Sequence, residues 1–371
     1  MKVLMLSRED VHTVLGGDTI QMLQTKQELE KLGVQVQLGT ASRSPNFKDF
    51  DLIHIFNWEQ LGPVLTAYGQ ILTNGSPLVL STIFWFHTGQ WFDEAITRRP
   101  IWRLAHTAIG PDHSLKIYEK WQQAKFRWGK RGQDLRRLLP ILSQLLPNSN
   151  IEIKHLEEVL GFNGDLKKLS TIVPNGVIRE LYDPLPEPNQ EFWKEYGLKD
   201  FVVEVARIQS AKNQLGLIEA LYNTSFPIVF IGQPSPYETE YVSRCYELAR
   251  KRGNVYFLGP MSAERLASIY VLADVHVLPS WRETPGLASL EAAAAGCRIV
   301  STSNGSAWEY FGDEAWYCDP RDQDSIREAV LTALDSPPSD KLRAHVLEHF
   351  TWEAAAKITL DAYHKILNIG D

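Results

Sequence analysis

Glu283 and Glu291 stand on either side of the run Thr284-Pro285-Gly286-Leu287, with seven residues between them. An apolar stretch at 273–278 precedes this turn, and an alanine-rich stretch closed by Gly296 follows it. A strand that gives way to a helix in this manner places backbone N–H groups at the carboxyl edge of a sheet, where open α/β folds bind anions and ligands. Two carboxylates would repel a bare phosphate. The pattern suits a ligand with both a phosphate and vicinal hydroxyls: amides take the phosphate, carboxylates accept from the hydroxyls. Nucleotide sugars have that chemistry. Taken singly, each glutamate reads as a solvated surface acid.

A second constellation lies upstream. Arg207 and Lys212 follow the apolar run 201–205 and stand just before a helical pattern. Two cations beside a helix amino terminus attract a diphosphate, because Coulomb attraction adds to the amide donors. In a transfer reaction they would stabilise the charge growing on a departing diphosphate. Alone, the pair also reads as two surface cations near a turn. The Glu283/Glu291 turn, at the end of another strand of the same half, favours the diphosphate reading.

Positioning these groups takes an α/β scaffold. Short apolar runs at 3–6, 34–38, 51–56 and 77–81 alternate with helical patterns, such as 19–32 closed by Gly33. The alternation restarts at 201–205, 227–231, 255–258, 275–278 and 298–301, with helices predicted at 214–221 and 238–252. Such alternation means parallel sheets. With 371 residues, two domains are expected. The proline-rich segment 182–189 is the linker candidate, which divides the chain into 1–182, 183–350 and a terminal helix within 351–371. Thr351 is placed to cap that helix, and Ala355, Ile358, Ala362 and Ile366 recur at helical spacing.

The motifs Val205-Ala206-Arg207-Ile208 with Lys212, Pro279-Ser280 with Glu283-Thr284-Pro285-Gly286, Glu291 and Gly296, and Val173-Pro174-Asn175-Gly176-Val177 resemble the large retaining glycosyltransferase family 4. The Gly16-Gly17 loop, the Asp51–His54 run and Leu146-Pro147-Asn148-Ser149, read as a strand, are similar to that family as well, so the resemblance covers nearly the whole chain. It implies the GT-B fold, two Rossmann-like domains facing a cleft. The first would bind acceptor, the second the nucleotide-sugar donor, and the terminal helix would pack back on the first. It also implies roles. Glu291 would accept from the ribose hydroxyls and Glu283 from hydroxyls of the transferred sugar. Arg207 and Lys212 would bind the diphosphate, aided by the amides of Gly286 and Leu287. Thr284 and Pro285 line the same turn. Gly16 and Gly17 would let the first loop approach the donor closely. The loop that begins at Leu258 would face the nucleobase. His87 is the candidate for a catalytic histidine that touches the sugar, while an alternative alignment puts Thr82 or Trp85 there.

Departures matter too. Pro285 has no N–H, so one amide of the turn is missing. No metal is expected: Asp49/Asp51 precede a strand at the wrong end for such a site, and Asp322/Asp324 open a late helix. The resemblance implies transfer of a hexose, with glucose favoured, from a UDP-sugar to a saccharide or lipid-linked saccharide in polysaccharide biosynthesis, with no cofactor. An epimerase or phosphorylase on the same fold, or a non-catalytic nucleotide-binding relative, remains open. A dinucleotide enzyme is disfavoured because no Gly-x-Gly-x-x-Gly follows the first strand.

Net charge is −7, which argues against general nucleic-acid binding. Within 116–137 the balance reverses: Lys116, Lys120, Lys125, Arg127, Lys130, Arg131, Arg136 and Arg137 face only Glu119 and Asp134, with Trp121, Phe126 and Trp128 interleaved. This suits either a peripheral contact with an anionic membrane or a solvated, charged helix with buried aromatics. Three widely spaced cysteines form no disulfide framework. No signal peptide or spanning run is read, so a cytoplasmic enzyme, at most lying against the inner membrane face, is expected.

Overall fold

The computed structural model describes residues 1–9, 16–40, 46–60, 75–86, 88–162, 166–198, 200–337 and 339–369. The chain forms two compact units: residues 1–175 together with 352–371, and residues 176–351. The proline-rich segment lies inside the second unit. Tyr182 is buried there, and its carbonyl accepts from Arg343 Nη2 at 2.7 Å.

Unit 1 holds a five-stranded sheet in the order β2-β1-β3-β4-β5. The strands are β1 Lys2–Ser7, β2 Gln35–Thr40, β3 Leu52–Phe56, β4 Leu78–Ser81 and β5 Gln144–Leu145. All pairings are parallel. Every residue of β3 is buried, as expected of a central parallel strand covered on both faces. β5 lies before the predicted Leu146–Ser149 strand. Pro147 has no N–H for a ladder, and Ser149 instead caps the helix Asn150–Leu160 by accepting from Glu152 N–H.

His54 is polar in that buried strand and is satisfied on both ring nitrogens. Nδ1 lies 2.6 Å from Tyr363 Oη, and Nε2 lies 2.9 Å from Ser81 Oγ. Burial pushes its pKa down to about 3, so the ring is neutral. Tyr363 belongs to the terminal helix Trp352–Leu367, which packs on the helix Gly17–Lys31 of the same unit. Its buried stripe, Ala355, Ala356, Thr359, Ala362 and Tyr363, follows the helical period seen in the sequence.

Unit 2 holds a six-stranded parallel sheet in the order β11-β10-β9-β6-β7-β8. Its strands are β6 Val202–Val205, β7 Ile228–Ile231, β8 Val255–Leu258, β9 Val275–Leu278, β10 Arg298–Thr302 and β11 Trp316–Cys318. The order reverses between β6 and β9, where one crossover runs left and the next right. Such a switch point, at the carboxyl ends of the two strands, is where open α/β sheets bind ligands. β6 leads to Arg207 and Lys212, and β9 leads to Glu283.

Candidate functional site

The loops after β6 and β9 are tied together by backbone and side-chain bonds. Trp281 N–H donates to Ala211 O at 3.1 Å. Asn213 sits in the left-handed region, at φ 63°. Its buried amide donates to Pro279 O at 3.2 Å and to Pro320 O at 2.9 Å. Asn213 thus sets the start of the helix Gln214–Ala220. Gly216 leaves it room: a Cβ there would lie 2.6 Å from Asn213 Oδ1.

This clamp brings Lys212 and Glu283 into contact. Lys212 Nζ lies 2.5 Å from Glu283 Oε1, with Glu283 almost fully buried and Lys212 partly open. The backbone of Glu283 is held as well. Its N–H donates to Asn304 O at 3.0 Å, and its carbonyl accepts from Ser306 N–H at 2.9 Å. Gly305 pairs with it in a parallel bridge, at φ 129°. A Cβ at Gly305 would fall 1.9 Å from Glu283 O, so only glycine fits.

The helix Leu287–Ala294 begins four residues after Glu283. Gly286 stands before it at φ 86°, with no side-chain cap for the first amides. Their N–H groups and the helix dipole make an anion-binding end. Thr284 is half-buried and Pro285 buried beside it. Glu291 lies one turn into this helix, half-buried. Surrounding protein pushes its carboxyl up to about 7, because desolvation disfavours the ionised form. The Glu291 charge is felt by the buried hydroxyls of Tyr182 and Tyr270.

Arg207 is half-buried after β6, and its carbonyl accepts from Gln214 Nε2 at 3.1 Å. Leu258 ends β8, and its carbonyl accepts from Gly232 N–H at 3.0 Å. Arg207, Lys212, Glu283, Thr284, Pro285, Gly286, Leu287, Glu291 and Leu258 therefore all lie in unit 2, at or beyond the carboxyl ends of its strands. Gly16 and Gly17 belong to unit 1. Gly16 precedes the helix Gly17–Lys31, and a Cβ there would stand 2.7 Å from Asp18 Oδ1. Asp18 pairs with Arg8 at 3.4 Å and accepts from Asn57 Nδ2 at 3.2 Å.

Residue 87 lies outside the described residues. The alternative positions are described. Thr82 is buried and donates to Glu152 Oε1, which also accepts from Phe84 N–H at 2.7 Å. Trp85 stacks on His155 with centroids 5.6 Å apart.

Two residues beneath the pair escaped sequence reading. Glu204, on β6, is fully buried and accepts from Gln214 Nε2 at 2.7 Å, while Oε2 has no hydrogen-bond partner. Desolvation raises its pKa well above the carboxylate range, Lys212 opposes this and Glu283 adds to it. His276, on β9, is buried and pushed down to about 3 by desolvation and then by Lys212. A polar residue inside an otherwise apolar strand was the available signal for both. Of the two aspartate pairs, Asp322 caps the helix Gln323–Asp335 and Asp51 accepts from Lys2 N–H at 2.7 Å. Among the described residues no group of three or more His, Cys, Asp or Glu is arranged to hold a metal.

The family model for glycosyl transferases group 1 matches residues 187–348, most of unit 2. Over 190 residues the chain is 27% identical to O-antigen chain mannosyltransferase B of Escherichia coli, covering 48% of each protein. It is 24% identical over 385 residues to D-inositol 3-phosphate glycosyltransferase of Corynebacterium diphtheriae, covering 92% of this chain and 88% of that one. The matched region thus spans about half the length of the first relative, and 23% of the serotype-specific mannosyltransferase WbdA of Escherichia coli. Among solved structures, sucrose-phosphate synthase from Thermosynechococcus elongatus superposes with a TM-score of 0.72 at 18% identity, covering 100% of both chains. Anabaena Alr3699/HepE in complex with UDP and glucose gives 0.63 at 17% identity, covering 99% of this chain and 98% of that one. The fold is GT-B.

Proposed function

We propose that this chain is a retaining, metal-independent hexosyltransferase that uses a nucleotide sugar, UDP-glucose first among candidates. The Lys212–Glu283 contact at the uncapped Leu287–Ala294 helix carries the reading. It places a cation, a carboxylate and free amides together, as a sugar diphosphate requires. Lys212 has three N–H donors, and one is directed to Glu283. We assign the others to phosphate, with Arg207 of the same loop as the second cation. Glu283 Oε2 accepts from a sugar hydroxyl, and Glu291 accepts from the ribose diol.

No side chain here acts as a covalent nucleophile. The acceptor hydroxyl attacks the anomeric carbon on the face from which the diphosphate leaves. The C–O bond to phosphate breaks as the new C–O bond forms, and the acceptor proton passes to the departing phosphate oxygen. Arg207, Lys212 and the helix amides stabilise the negative charge left on the diphosphate. Because these groups supply positive charge themselves, the reading assigns no metal and no cofactor. The Anabaena protein was solved in complex with UDP and glucose, which supports that donor. The Escherichia coli relatives are named mannosyltransferases, which makes mannose the second sugar to test. The O-antigen chain in the name of one of them supports a saccharide or lipid-linked saccharide acceptor in polysaccharide synthesis. A cytoplasmic site suits the three buried free cysteines.

A thermal-shift panel of UDP-, GDP- and ADP-sugars tests the donor site, with Glu291→Ala as control. Stabilisation of the wild type alone supports it. If no nucleotide stabilises the wild type, or Glu291→Ala responds equally, the assignment fails. Turnover of donor without any acceptor would favour an epimerase instead.

A further inference from the structure

Unit 1 exposes an apolar surface on a segment that the basic stretch 116–137 did not include. The helix Pro100–Ile109 has no buried residue. Trp102 and His106 turn toward Phe92, with centroids 6.3 and 6.4 Å away. Ile101 and Leu104, three positions apart on one face, are each 69% exposed. On the next helix, Pro111–Trp128, Ile117 is 52% exposed, and Trp121, one turn further along, packs against Trp102 at 5.6 Å. An aliphatic stripe standing in water is costly unless something covers it.

Its surroundings are cationic. Arg98, Arg99, Arg103, Lys116 and Lys120 are all exposed. Between 98 and 131 nine Lys and Arg residues stand against Asp112 and Glu119 alone, in a chain of net −7. Two guanidiniums in the later half of the basic stretch are employed inside the fold. Arg127 donates to Val159 O at 3.1 Å and Glu158 O at 2.7 Å, and Arg136 donates to Leu160 O. These guanidiniums satisfy the carboxyl end of the helix Asn150–Leu160. Phe126 is packed among Trp58, Phe84 and Phe86.

We propose that residues 98–120 form a docking face for an anionic lipid bilayer. Ile101, Leu104 and Ile117 enter the headgroup–acyl boundary, and Arg98, Arg99, Arg103, Lys116 and Lys120 meet lipid phosphates. Trp121 lies at the headgroup level, where indole rings settle. Charge complementarity selects this occupant. A second copy would bring the same cations against the first, whereas an anionic bilayer offers an apolar interior under a negative surface.

Sedimentation of the full chain with vesicles tests this without donor or acceptor, so its failure leaves the donor assignment standing. The probes are vesicles of phosphatidylcholine alone and of phosphatidylcholine with phosphatidylglycerol. The wild type should pellet only with the anionic vesicles and be released by high salt. Each cation removed among Arg98, Arg99 and Arg103 should weaken partitioning about fivefold. The exposed pair Ile101→Glu with Leu104→Glu should abolish it while leaving the thermal midpoint unchanged. Equal partitioning onto both vesicles, or wild-type pelleting by the double variant, overturns the proposal. So does a concentration-dependent dimer that the double variant loses, which would assign the face to a second copy.

Discussion

Lys212 Nζ and Glu283 Oε1 lie 2.5 Å apart, although 71 positions separate them in the chain. The contact joins the loop after β6 to the loop after β9 at the point where the strand order of unit 2 reverses. It also decides how the carboxylate is used. One oxygen is held by the ammonium, so the other is the one oriented for a ligand hydroxyl.

Lys212→Ala leaves Glu283 buried without its counter-ion. Breaking a buried pair from one side costs about 3 kcal/mol, and partial exposure of the lysine places the result near that lower bound. Glu283→Gln removes the charge while keeping the shape, and should cost less. Thermal melts of both variants decide it; equal losses would mean the pair adds nothing beyond packing. On the transferase reading, Lys212→Ala also lowers kcat by about 10²–10³-fold, the usual loss for a group that stabilises developing charge.

Donor binding should depend on pH through Glu291. Its carboxyl is pushed up to about 7 in the free protein, and the ribose diol needs an acceptor. Below that pH the protonated form dominates, and binding must first release the proton. Nucleotide affinity should therefore fall about tenfold per unit as pH drops below 7. Calorimetric titrations at several pH values read this directly. A flat profile would show that Glu291 is already ionised or makes no contact with the nucleotide.

Glu204→Gln should stabilise the protein increasingly as pH rises. The folded state keeps the Glu204 proton well above the ordinary range because of burial, while the unfolded chain releases it near 4.5. Unfolding thus releases a proton, and wild-type stability falls as pH rises above 4.5 until Glu204 itself ionises. Glutamine mimics the protonated acid and carries no such penalty. The difference in melting temperature between variant and wild type should widen from about pH 5 to about pH 8. A constant difference would place an ionised glutamate in the core.

Gly305→Ala and Gly33→Ala separate two costs of substituting glycine. Both residues have positive φ, 129° and 86°. At Gly33 an added Cβ meets nothing within 4 Å, so only the backbone penalty of about 1 kcal/mol applies. At Gly305 the Cβ would stand 1.9 Å from Glu283 O, and the backbone that carries the carboxylate must move. Gly305→Ala should lose nucleotide-induced stabilisation together with several degrees of melting temperature. Gly33→Ala should lose a little stability and no binding. Matching behaviour of the two would contradict the close packing of Gly305 on Glu283.

Much of the scaffold is legible along the chain because buried parallel strands read as short apolar runs. β3 and β9 are such runs, each with every residue buried. β5 and β11 are not, since two and three residues at sheet edges carry no periodicity of their own. The amphipathic helix Pro100–Ile109 escaped notice for another reason: its exposed stripe has the pattern of a core-facing helix, and only the fold shows which side is covered.

For the site, the sequence by itself determined the cast: two cations after one strand, two acids around a turn after another, and a glycine where the second helix begins. Those are local facts, governed by residue type and spacing. Tertiary structure alone decided the partnerships. Lys212 reaches Glu283 because Asn213 bonds across to Pro279 and Pro320, and Gly305 closes on Glu283 because no side chain intervenes. It also buried Glu204 beneath them, in a place where a carboxyl keeps its proton. Lys212 and Glu283 stand 71 positions apart. A contact across that distance depends on sheet order, and sheet order is set by how the whole set of strands and helices packs, which no local pattern encodes.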